Sequence, residues 1–197
     1  IETTVTTLDL TTAATSITES DGVTLSDSVV TGQLDLATGG ATVIGALTAT
    51  SQTVNLTLCG ALTDGDADAA GADTTVNVTA GTLNILGNQA VTDIETAVGT
   101  LGLTSAATSI TEADGVTLSD STVTGQLDLS AGATVLNNLN AAANAVNITV
   151  SGAITDGNAA TNNVTAGTLT IAGNQAVTGI ETTVTTLDLT TAATSIT

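Results

Sequence analysis

The feature that most narrows the fold of this chain is a short phrase that returns every 18 to 25 residues. It reads VTTLDL at Val5, VTGQLDL at Val30, VNLTLCGAL at Val54 and VTAGTLNI at Val78. The series runs again as VGTLGL at Val98, VTGQLDL at Val123, VNITVSGAI at Val146 and VTAGTLTI at Val164, and VTTLDL at Val184 restarts it. Val, Ile and Thr are stiff at the β-carbon and favour extended backbone, while Gly, Asn and Asp between the phrases supply turns. A step of this size is the length of one turn of a β-solenoid, whose coils stack by strand pairing.

A longer period contains the short one. The eighteen residues IETTVTTLDLTTAATSIT fill positions 1–18 and again 180–197, and a variant, IETAVGTLGLTSAATSIT, fills 94–111. The chain therefore divides into a repeat unit at 1–93, a second at 94–179 and the start of a third at 180–197, expected to form one continuous solenoid. The units differ in length near Gly39 and between Asp64 and Val78, which places surface loops there. A period near 90 also fits tandem immunoglobulin-like sandwiches, but a sandwich gives no reason for the finer period. The expected fold is all-β, a parallel β-solenoid (β-helix) with about four coils of 18–25 residues per 86–93-residue unit, eight coils from Val5 to Val184. Alternation along the strands predicts Val5, Val30, Val78, Val123, Val164 and Val184 inward, and an outward column of Thr6, Thr31, Asn55, Thr79, Gly99, Thr124, Asn147, Thr165 and Thr185. Both ends belong to the internal repeat, so the chain reads as a section of something longer or a subunit that stacks end to end.

Composition supports a thin core. There is no Phe, Tyr, Trp, Met or Pro, and threonine is about a quarter of the residues. Branched aliphatics must fill the interior without aromatic bulk. The chain carries 19 acidic groups and no Lys, Arg or His, a formal charge of -19. Phosphate recognition depends on basic side chains, so nucleic acid is excluded as a partner and metal cations are the natural counter-charge. No apolar run is long enough for membrane insertion. The single cysteine, Cys59, corresponds to Ser151 in the second unit, so the architecture does not require a thiol.

Catalysis would have to rest on carboxylates or a metal alone, because His, Lys, Arg and Tyr are absent. No enzymatic activity is expected. One stretch resembles a cation site: in DGDADAAGAD, Asp64, Asp66 and Asp68 have the D-x-D-x-D spacing that brings alternate oxygens to Ca²⁺, and Asp73 could add another. The glycine and acidic residue that complete an EF-hand loop are missing, and the second unit has DGNAATNN in this place. A solvated acidic turn is the competing reading. Four N-x-T sequons occur, at Asn55, Asn77, Asn147 and Asn163, about as many as a threonine-rich chain produces by chance. An ice-binding face would need parallel T-x-T columns, and Asn55, Gly99 and Asn147 interrupt the expected one.

The phrases VTGQLDL, VTAGTLTIAGNQAV and AATSITEADGVTLSDS resemble the β-strand-repeat regions of giant bacterial surface proteins. These include filamentous-haemagglutinin-like adhesins and secreted stalk, sheath or filament proteins. The resemblance covers the whole chain, rests on composition and periodicity, and implies an exported, right-handed solenoid with a structural or adhesive role. The lack of aromatic and basic residues points to a shaft rather than a carbohydrate-binding tip. The expected function is a stiff, protease-resistant rod in an extracellular or cell-surface fibre, layer or long adhesin, self-associating end to end or side by side. The alternative is a calcium-stabilised binding module, with ice-binding and sandwich adhesins behind it.

Overall fold

The computed structural model describes residues 1–66, 75–159 and 161–197, and all its regular structure is β-strand. Every pairing among the described strands is parallel and links them into one sheet that winds through about ten turns. The parallel β-solenoid is therefore present, and the antiparallel pairing that sandwiches require is not.

Each coil has three sides, one long and two short. Thr15–Glu19, Val23–Leu25 and Ser28–Val30 form one coil, and Leu34–Thr38, Thr42–Ile44 and the start of Leu47–Leu58 form the next. Period-two alternation explains this plan. A three-residue strand points its first and last side chains inward and one outward, as in Val23, Thr24 and Leu25, whereas a five-residue strand such as Leu34–Thr38 points three inward and two outward. Gly, Asn and Ser turn the corners between sides. At Gly173, with φ of +125°, any Cβ would overlap the carbonyl oxygen of Val150 on the coil below, so only glycine fits.

The register can be followed through nine successive layers along one column. Val23, Thr42, Leu62, Val91, Thr108, Leu127, Val146, Leu169 and Leu187 are stacked partners. All but the last are buried, and Leu62, Val91, Leu127, Val146 and Leu169 belong to a single core running from Ile17 to Ile180. Full burial of one such aliphatic side chain is worth about 1.5–3 kcal/mol. The narrow interior needs no larger side chain. The two threonines in the column satisfy their hydroxyls locally, Thr42 with Thr38 at 2.8 Å and Thr108 with Ser105 at 2.7 Å.

The register corrects the expected columns. Thr15, Leu34 and Val54 are successive partners, so coils here are 19 and 20 residues long, shorter than most phrase-to-phrase steps. Successive phrases consequently do not stack first residue on first residue: Val54 lies between Leu34 and Leu83, and Val98 pairs with Ala80. Asn55 lies between Asp35 and Asn84, and Thr79 between Thr48 and Ala97. Val30, Val78, Val123 and Val164 are buried as expected, but Val5 is 40% exposed and Val184 only partly buried. Outward β-branched columns do form elsewhere, among them Thr7, Thr24, Val43, Thr63 and Thr92, and Thr53, Thr82, Thr100, Thr117, Val135, Thr155 and Thr178.

Candidate functional site

The acidic loop of the first unit leaves the short strand Leu62–Asp64 and returns at Val78. Of the four proposed cation ligands, Asp64 and Asp66 are described, and Asp68 and Asp73 lie outside the described residues. The D-x-D spacing does bring oxygens together, but around a nitrogen. Asn77 is fully buried, and its Nδ2 lies 2.6 Å from Asp64 Oδ1, 2.8 Å from Asp66 Oδ1, 3.2 Å from Ile44 O and 3.1 Å from Gly45 O. Its Oδ1 accepts from Glu95 N on the next coil at 2.8 Å. Asp66 N also donates to Asp64 Oδ1 at 2.9 Å, closing an Asx turn.

The second unit builds the same anchor with less charge. Asn163, also fully buried, offers Nδ2 to Leu136 O, Asn137 O, Asp156 Oδ1 and Asn158 Oδ1 at 2.8–3.1 Å, and its Oδ1 accepts from Glu181 N at 2.9 Å. Asp156 is held below the usual carboxylate range, first by the Asn158 backbone N–H and then by the Asn163 amide. The shared element is thus one asparagine tying a loop to two coils. A Ca²⁺ shell takes six to eight oxygens. Among the described residues no three His, Cys, Asp or Glu side chains cluster to begin one.

Sequence reading treated Asn77 and Asn163 only as sequons. Their burial means that neither amide could carry a glycan in this fold. Asn55 and Asn147 are half-buried mid-strand and donate to Asp35 and Asp128 at 2.6 and 2.7 Å. They belong to outward ladders on the long sides. Gln33 also donates to Asp35, Asn84 to Asn55 at 2.8 Å, and Gln126 to Asp128. The Asp35 carboxyl is pulled down by the Asn55 amide first and Gln33 second. On the second unit's long side the outward pairs are Ser109/Thr111, Asp128/Ser130, Asn147/Thr149 and Thr170/Ala172, which is not the repeated T-x-T of an ice-binding plane.

A third recurrent polar feature also went unread in the sequence. Glu19 and Glu112 occupy the same place in the two units and turn their carboxylates inward at a corner. Glu112, 4% exposed, accepts from Thr96 Oγ1 at 2.7 Å, from Val98 N at 3.1 Å and from Asp114 N at 3.2 Å. Glu19 accepts from Thr3 Oγ1, Val5 N and Asp21 N. Burial pushes Glu112 above the ordinary 4.5 despite these donors, whereas the Thr3 hydroxyl chiefly draws Glu19 below it. Each glutamate fastens the opening strand of its unit to the coil above.

The three polar arrangements share a chemistry: each satisfies backbone and side-chain groups within or between coils. Among the described residues no helix is long and apolar enough to cross a membrane. No protein-family model, curated protein or solved structure matches the chain.

Proposed function

We propose that this chain is shaft material of an extracellular fibre, sheath, surface layer or long adhesin, with a mechanical rather than a catalytic role. The carrying observation is the unbroken parallel ladder, traced through nine layers in one column and spanning both unit junctions. Backbone hydrogen bonds then lie along the rod axis, where an axial pull loads many at once. The polar features support the same reading, because anchors, ladders and corner glutamates all hold coil to coil. Identical residues at 1–18 and 180–197 allow units to follow one another in the same register. The complete lack of Lys and Arg leaves no trypsin site, an advantage for exported material.

The test is X-ray scattering from oriented purified chain, with subtilisin digestion alongside. A reflection near 4.8 Å along the rod axis, with strand cores surviving the protease, is expected. A disordered spectrum, or strands running along the long axis of the particle, would refute the shaft.

A further inference from the structure

The three-sided cross-section does not pass unchanged from one unit to the next. Within the first unit the long side stacks on itself, with Ile17, Leu36, Leu56 and Ile85 as successive partners. Above residues 82–86 come residues 100–103, and these carry no further long strand. Instead Thr100 and Leu101 support the short strand Val116–Leu118, and Thr104 and Ser105 support the short strand Ser121–Val123. The new long strand, Thr108–Glu112, starts over Val91 and Ile94, above the former short side Leu62–Asp64. One long side has become two short ones, and the next side around has become long.

A bulge makes this change. The register slips by one residue between Val91 and Ile94, at Asp93, whose φ is +48°. The second junction repeats the underlying layers and the bulge. Residues 168–172 lie under 186–189, Val177 and Ile180 lie under Thr194 and Ile196, and the slip falls at Gly179, with φ of +72°.

We infer that successive units of the shaft are related by a screw of one side, so that each unit of about four and a third coils turns its amide–carboxylate ladder a third of a revolution around the rod. The ladder Ser16, Asp35, Asn55, Asn84 occupies one side, and Ser109, Asp128, Asn147, Thr170 the next. A third unit brings it to the remaining side, and a fourth restores the first. The screw rests on the shaft reading and adds to it a rule for how units follow one another. The rival is a straight stack, in which Thr108–Glu112 sits over residues 82–86 and Ser109 follows Asn84 by a junction coil of 25 residues.

Disulfide trapping in the full chain, on a Cys59→Ser background, separates these. Thr82→Cys with Thr100→Cys reports the screw, because these outward residues are stacked partners. Asn84→Cys with Ser109→Cys reports the straight stack. Thr24→Cys with Val43→Cys, partners inside one unit, reports the solenoid itself. Paired strand neighbours fall within disulfide reach. Under mild oxidation of dilute protein, read by mass and non-reducing mobility, the first and third pairs should close at least about tenfold more fully than the second. Closure of the third pair without the first, whether or not the second closes, overturns the screw and leaves the shaft standing. Failure of the third pair removes the shaft reading and the screw with it.

Discussion

Asn163 shows what a single buried amide holds in this fold. It joins the loop beginning at Asp156 to Leu136 and Asn137 on the coil below and to Glu181 above. Asn163→Ala leaves buried backbone and side-chain groups without partners, and should lower the unfolding free energy by about 2–3 kcal/mol in urea titrations. Asn163→Asp is a sharper probe. It sets a carboxylate against Asp156 and two carbonyls, so its loss of stability should be larger at pH 7 than at pH 4, where protonation relieves it. Glu112 and Glu19 provide a pair of opposite sign. Because the folded pKa of Glu112 is raised, its proton-bound form favours the fold; that contribution is full below the ordinary 4.5 and lost as pH rises through the folded value. Glu19 is depressed, so its contribution is present above 4.5 and lost as pH falls through its folded value. Melting curves against pH should therefore respond oppositely to Glu112→Gln and Glu19→Gln.

The strand bearing Asp93 carries a one-residue bulge, and its backbone sets the junction. A left-handed residue without glycine costs about 1–2 kcal/mol, and the second unit places Gly179 there. Asp93→Gly should leave the unfolding free energy within about 1 kcal/mol, trading the Ser109 hydrogen bond for relief of strain. Asp93→Val should lower it by at least about 1–2 kcal/mol, because a β-branched side chain tolerates this region worst. Element type was legible in the sequence: β-branched phrases gave strands, Gly and Asn gave corners, and the unequal unit lengths gave loops. Register was not legible. Equal phrases invite stacking on one another, yet Asn55 meets Asp35 and Asn84 because coil length, set by corner residues, differs from phrase spacing. The candidate site was half legible for a similar reason. D-x-D correctly signals converging oxygens, but nothing local announces that Asn77, eleven residues beyond Asp66, occupies the point of convergence.

At the scale of the whole molecule the net negative charge is the dominant feature. Nineteen carboxylic acids and no Lys, Arg or His leave self-repulsion without internal relief. Raising the salt from 0.01 M to 0.15 M shortens the screening length from about 30 Å to about 8 Å, and the melting temperature should rise with it. A scan that stays flat would show that the acids are spaced widely enough to ignore one another. With coils about 4.8 Å apart, the screw gives a rise of about 21 Å per unit and a pitch of about 62 Å, to be read from averaged images of long native material. The turning long side also has a mechanical meaning. A rod whose cross-section is wider along one side bends more easily in one plane than another. Carrying the wide side around by thirds averages its second moment of area over each three units, so a long shaft has no soft direction and buckles no sooner toward one neighbour than toward any other.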